Sequence, residues 1–146
     1  MEKVVFTTDI NASRQQVWET MFNPDTYKEW VGAGWPGAYY VGTWQQGATL
    51  QFTGPEGGGT VATLVEHKPF ERILAKHVAV LNHDNTEDRD SDLAKGWIGT
   101  TESYSFAEHD GKTRLTVEIN TYPAWAGMFS EGWPNALQKL KEISER

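Results

Sequence analysis

The hydrophobic period of the chain changes at Tyr122-Pro123, and that change limits the architectures open to it. Before it, Ile98 to Ala107 and Lys112 to Thr121 alternate apolar and polar residues as half-buried strands do, with Glu108-His109-Asp110-Gly111 as the turn between them. After it, Trp125, Phe129, Trp133, Leu137 and Leu140, flanked by Met128, Ala136 and Ile143, recur at helical spacing as one broad apolar stripe. A sheet with one apolar face and a helix with one apolar stripe can each bury the other. Pro134 interrupts the stripe. It removes the bond to the Ser130 carbonyl and crowds the preceding turn, which predicts a kink or a fresh helix start near Trp133.

The earlier part of the chain supplies the remaining strands. Lys3 to Ile10 reads as a strand with Val4, Phe6 and Thr8 on one face, and Asn11-Ala12-Ser13 ends the pattern. Ser13 and Gln16 have capping-box spacing, and the pairs Val17/Met21 and Trp18/Phe22 give the helix that follows its apolar face. Pro24 suits a first helical position, where its missing N–H would have no partner, so Asp25 to Trp30 reads as a second short helix. Val31 to Gly47 interleaves glycines with Trp35, Tyr39, Tyr40 and Trp44, a bent aromatic segment. Thr49 to Thr53, Thr60 to His67 and Arg72 to Leu81 read as strands, and Asn82 to Lys95 as an acidic loop. The order is one strand, two short helices, about six antiparallel strands and a long C-terminal helix, an α+β arrangement in one domain spanning residues 1–146.

Pairing across a four-residue turn sets Ala107 against Lys112, Tyr104 against Leu115, Glu102 against Val117 and Thr100 against Ile119. The apolar face holding Tyr104, Phe106, Leu115, Val117 and Ile119 then points at the C-terminal helix and carries Glu102 with it. A carboxylate aimed at an apolar interior must be paired, hydrated or protonated. His77 shares a face with Ile73, Ala75, Ala79 and Leu81, opposite Lys76, so it also points inward. Glu102 and His77 are therefore the candidate acid and base.

Charge and motif content exclude several functions. Thirteen Lys and Arg against 20 Asp and Glu leave a net charge of −7 and no basic stripe, which argues against a nucleic-acid partner. There is no signal-peptide core and no apolar run of membrane-spanning length, so the expectation is a cytoplasmic protein without membrane insertion. Asp88-Arg89-Asp90-Ser91-Asp92 alternates like the opening of a calcium loop. The match fails at Leu93, where glycine is needed, and at Gly99, where a bidentate Glu belongs, leaving a solvated acidic loop. Gly57-Gly58-Gly59 lacks the Lys-Ser or Lys-Thr of a phosphate loop, and His67, His77, His83 and His109 lack metal-ligand spacing. No cofactor and no metal are expected.

The opening strand followed by Ala12-Ser13-Arg14-Gln15-Gln16-Val17-Trp18 and Asp25 to Trp30 resembles the SRPBCC, or START-like, superfamily. So do Gly59-Thr60-Val61 continuing to Glu66-His67-Lys68-Pro69, Arg72-Ile73-Leu74, Thr113 to Val117, and Gly132-Trp133 with Leu137 and Leu140. Within that superfamily, the chain is similar to the group of the activator of the heat-shock-protein-90 ATPase. The resemblance implies the helix-grip fold of the birch-pollen allergen, a curved antiparallel sheet wrapped around the C-terminal helix with a cavity between them. On this reading Trp30, Trp35, Tyr40, Trp44, His77, Glu102, Tyr104, Val117, Trp125, Phe129 and Trp133 line a site for a small hydrophobic molecule. The resemblance also implies two alternatives: a cochaperone-like protein acting on a chaperone ATPase, and a cyclase or dehydratase using Glu102 and His77. A monomer is expected.

Overall fold

The computed structural model describes residues 1–146. Strand β1 (Glu2–Ile10) leads into helices α1 (Arg14–Phe22) and α2 (Pro24–Val31). Then come β2 (Tyr39–Val41), β3 (Thr49–Thr53), β4 (Gly59–Lys68), β5 (Arg72–Leu81), β6 (Glu87–Asp88), α3 (Asp92–Trp97), β7 (Thr101–His109), β8 (Lys112–Thr121) and α4 (Pro123–Ser144). The local signals act as their chemistry dictates. The Ser13 hydroxyl caps α1 by accepting from Gln16 N–H at 3.2 Å, and the Asn23 side chain accepts from Asp25 N–H at 3.0 Å beside Pro24 at the start of α2.

All strands join one antiparallel sheet in the order β1-β8-β7-β5-β4-β3-β2, with β6 added to β5 beyond the end of β7. The sheet curls into a half-barrel around α4, giving the helix-grip-like α+β fold. Register shifts between β4 and β5 at Val61/Ala62 and Leu64/Glu66 insert extra residues, and such bulges bend a strand and increase its twist. The main core runs from Ile10 through Val17, Met21, Leu50, Leu64, Ile73, Leu115, Val117 and Ile119 to Leu137, Leu140 and Ile143.

Four expectations change. The turn after β7 has two residues, because His109 pairs with Lys112 and leaves Asp110-Gly111 at φ 53° and 76°. Positive φ at both central positions matches the right-handed twist of a hairpin, so the tighter turn wins. Glu102 therefore faces Ile119 and not Val117, and Tyr104 faces Val117. A shift of two residues preserves the face, so the apolar set and Glu102 still point inward. Second, the bulge at Val61/Ala62 breaks the alternation of β5. Ile73 and Ala75 join the main core, whereas Ala79 and Leu81 form a separate small cluster with Val61.

Third, the acidic stretch is not all loop. Asp88 accepts from the N–H groups of Asp90 and Ser91 at 3.1 Å each, and Ser91 caps α3 by accepting from Ala94 N–H at 3.1 Å. The strand expected from Ile98 begins only at Thr101, since Ile98 terminates that helix. Fourth, of the kink or fresh start expected near Trp133, the fresh start does not occur, since α4 continues as one helix through Pro134. The proline is exposed, so the partnerless Ser130 carbonyl lies on the side open to water.

The Asp110-Gly111 turn yields the first prediction. No atom lies within 4 Å of a Cβ built on Gly111, so Gly111→Ala tests backbone conformation alone. It should cost about 1–2 kcal/mol in urea unfolding, the penalty of left-handed backbone for an L residue. An unchanged midpoint would mean that the turn relaxes to a longer one.

Candidate functional site

A cavity of about 480 Å³ lies between the concave face of the sheet, α2, the segment after it and the first half of α4. Its position follows from how α4 is held. From Gly132 onward the helix buries Trp133, Ala136, Leu137, Leu140 and Ile143, but before that point Trp125 and Phe129 are only half-buried and Met128 is exposed. The last turns are gripped, and the first turns roof a space.

One wall is made of indoles. Trp30 is fixed by donating its Nε1–H to the Met21 carbonyl at 3.0 Å, and its ring lies 5.8 Å from that of Trp133. Trp35 meets Trp133 edge-on at 5.6 Å and Phe129 at 6.4 Å. Gly132 makes this approach possible, because a Cβ there would stand 2.5 Å from the Trp35 ring. Thr53, Gly54, Gly58, Gly59 and Thr60 from the β3–β4 turn, with Pro36, Tyr39 and Met128, complete the rim.

The sheet contributes the polar groups. Glu102, between Ala75 of β5 and Ile119 of β8, is half-buried and lines the cavity beside Tyr104. Burial pushes its carboxyl up to about 7, against the opposing pull of the Tyr104 hydroxyl. The same desolvation, reinforced by the Glu102 charge, raises the phenols of Tyr27 and Tyr104 far above their ordinary value. His77 is buried and pushed down to about 4 by desolvation. Neither of its nitrogens has a hydrogen-bond partner, and its ring packs at a tilt against Trp97 of α3, centroids 4.4 Å apart. No Lys or Arg lines the cavity.

The structure brings Trp30, Trp35, His77, Glu102, Tyr104, Phe129 and Trp133 to this cavity. Four expected residues lie elsewhere. Tyr40 turns toward the helices and donates its hydroxyl to the Phe22 carbonyl at 2.6 Å, so its neighbour Tyr39 reaches the rim instead. Trp44 packs among Phe22, Tyr40 and Phe52, and Val117 is fully buried in the core. Trp125 sits behind the wall, against Trp97 at 5.3 Å and Tyr122 at 4.9 Å.

Sequence reasoning missed Tyr27, Phe52, Trp97 and Ile119. Ile119 follows from the corrected register, and Trp97 was signalled by Ser91 as a cap with Ala94 and Trp97 at helical spacing behind it. Glu102 and His77, the expected acid and base, both line the cavity but do not hydrogen-bond each other, since the imidazole nitrogens are unpartnered. Alone, Glu102 can hold or release a proton near neutrality, orient a polar group of a bound molecule, or balance a positive charge. No group of three or more His, Asp or Glu side chains is arranged to hold a metal, and no helix is long and apolar enough to cross a membrane.

The shifted carboxyl makes stability depend on pH. In the unfolded chain Glu102 ionises near its ordinary value of 4.5, and in the folded chain near 7. Its contribution is therefore complete below about 4.5 and is lost as pH rises through about 7, because the unfolded chain releases its proton first. His77 has the opposite sign, its contribution complete above 6.5 and lost as pH falls through about 4. Glu102→Gln cannot ionise, so its stability relative to the wild type should rise between pH 4.5 and pH 8 by at most about 3 kcal/mol. Thermal melts across that range check it; a constant difference would show that the carboxyl is not desolvated.

No curated protein matches the chain. Among solved structures, it is similar to MLL2253 from Mesorhizobium loti, with a TM-score of 0.76, 14% identity and 97% of this chain covering 96% of that one. The solution structure of the Aha1 dimer from Colwellia psychrerythraea has a TM-score of 0.72 at 19% identity, with 99% and 97% covered. CalU16 from Micromonospora echinospora gives 0.67 at 14% identity, with 97% and 75% covered. At these identities the likeness is one of fold. Residues 11–145 match the family described as activator of Hsp90 ATPase homolog 1-like protein, and the chain belongs to that family.

Proposed function

We propose that this protein binds a small, mainly apolar molecule between its sheet and the first half of α4. One observation carries the reading: α4 stands off the sheet over a space of about 480 Å³, of which 13 of the 21 lining residues are hydrophobic. That volume lies within the usual range for small-molecule sites, where apolar walls supply affinity and a few polar groups set orientation. Rings favour this use because each offers a large contact area with few torsions to freeze. Glu102 is the polar group on the inner wall.

A second reading, stimulation of a heat-shock-protein-90-type ATPase, is favoured by the family to which the chain belongs. It uses the outer surface and does not require the cavity to be filled. The experiments that separate the readings are independent: ligand titration reads the interior, and turnover of an added chaperone ATPase reads the exterior.

Titration of labelled protein with apolar aromatic and lipid-like compounds, followed at the indole N–H signals, should give saturable shifts at Trp30, Trp35, Trp97 and Trp133. Trp18 and Trp44, which do not line the cavity, should stay in place. Phe129→Ala should weaken the best ligand by roughly ten-fold, as loss of a half-buried ring in a pocket does, with little change in melting. Shifts spread evenly over all seven indoles, or none, would overturn the ligand-binding reading.

A further inference from the structure

We infer that the cavity selects an organic cation, a hydrophobic amine seated against the aromatic wall with its ammonium group directed at Glu102, and rejects carboxylates such as fatty acids. The inference rests on the ligand-binding reading above and narrows it to a charge class. Its basis is an asymmetry of the lining: one carboxyl group, seven Trp and Tyr rings, and no Lys or Arg. The cavity thus holds nothing that could neutralise a bound anion. The five arginines are all elsewhere. Arg14, Arg72, Arg89, Arg114 and Arg146 pair with Glu71, Glu66, Glu87, Asp9 and Glu29 respectively.

A cation entering this space meets attraction from two sources. The faces of Trp and Tyr rings carry negative potential, and cation–π attraction strengthens as water is excluded. Trp30 and Trp35 each bring their ring within 6 Å of that of Trp133, so an alkylammonium beside Trp133 can touch more than one ring. Glu102 supplies a full charge in the same space. A carboxylate ligand would bring a second negative charge against it with no donor but phenol or indole groups to relieve the repulsion.

The titratable groups that share the cavity with Glu102 are Tyr104 on its own strand, Tyr27 on α2, Tyr39 on β2 and His77 on β5. From β8 and α4 it is faced by Ile119, Phe129 and Trp133, none of which titrates. Neutral tyrosines and a neutral imidazole leave Glu102 as the group whose charge changes near pH 7. An aliphatic amine keeps its proton through that range, so its binding should strengthen as Glu102 ionises, and binding should release a proton when started from below pH 7.

The test uses three probes of one shape: 2-(2-naphthyl)ethylamine, 2-(2-naphthyl)ethanol and 2-naphthylacetate. Calorimetric titration at pH 8 should rank the amine first, tighter than the acid by on the order of ten-fold or more, as a desolvated cation–π and charge pair requires. The amine's affinity should rise from pH 6 to pH 8.5 in the wild type, and Glu102→Gln should remove the rise and reduce the preference to what the ring faces supply. The pH profile needs no variant, so it stands if the substitution impairs folding. If the alcohol or the acid binds as tightly as the amine, the cation inference fails while the ligand-binding reading survives. If none of the three binds, the cation inference fails, and the ligand-binding reading is decided by the indole titration with apolar aromatic and lipid-like compounds.

Discussion

Trp133 is the contact on which the arrangement depends. Its ring lies 6.2 Å from Phe6 of β1, 5.8 Å from Trp30 of α2, 5.6 Å from Trp35 and 6.2 Å from Tyr104 of β7. One side chain thereby ties α4 to the first strand, the second helix, the aromatic segment and the central hairpin. The consequence is a division of α4 at this point. Beyond it, the apolar stripe is closed into the core, and before it the bulk of Trp35, admitted by Gly132, holds the helix away from the sheet. A Leu at position 133 would fill the core but could not span these four neighbours. Large rings that reach across a gap, in place of branched aliphatics that fill it, keep a fold of this kind both packed and hollow.

Trp97 closes the far end on the same principle. It packs at a tilt against His77, lies beside Trp125 and runs nearly parallel to Tyr122, whose hydroxyl donates to the Leu93 carbonyl. Helix α3 is thus pinned to the start of α4 and serves as an end wall. The imidazole of His77 spends its burial on this packing, which explains why a buried histidine without a hydrogen-bond partner persists: kept neutral by desolvation, it behaves here as a flat ring. Glu102 has no comparable structural explanation. No hydrogen bond from a cationic side chain reaches it, and a leucine there would extend the apolar strip of Tyr104, Phe106, Leu115, Val117 and Ile119. A residue that weakens the fold at neutral pH and lines its cavity is one whose retention points to use.

The parts of this molecule readable from the sequence are those governed by a period. Alternation in β7 and β8 placed the correct face inward even though the assumed turn was too long, because an error of two residues returns every side chain to its side. In β5 the same rule fails past His77, since one inserted residue at the bulge breaks the pattern and nothing in Arg72 to Leu81 marks where it falls. Tyr40 and Tyr39 show the smallest case. Both are aromatic, adjacent and flanked by glycine-rich chain, and the hydrogen bond from the Tyr40 hydroxyl to the Phe22 carbonyl turns that ring away from the rim that Tyr39 reaches. Trp44 and Trp125 were misplaced for a related reason: composition says that rings will cluster but not which cluster each will join.

Acidic residues hid α3 because a run of charge resembles solvated loop, while the signals that form the helix are short-range and quiet. Asp88 organises the turn before it, Ser91 caps it, and Ala94 and Trp97 give it one buried side. Asp88, the first of the carboxylates that look like an opening calcium loop, is thus engaged with backbone N–H groups of its own turn. Charge in this chain is segregated by that logic. Asp84 and Asp88 hold backbone, Asp9, Glu29, Glu66, Glu71 and Glu87 pair with arginines, and Glu102 is the one carboxylate that lines the cavity. An interior furnished with rings and a single acid is complementary to a different class of molecule from one furnished with rings and a single base, and that difference is set by one side chain on β7.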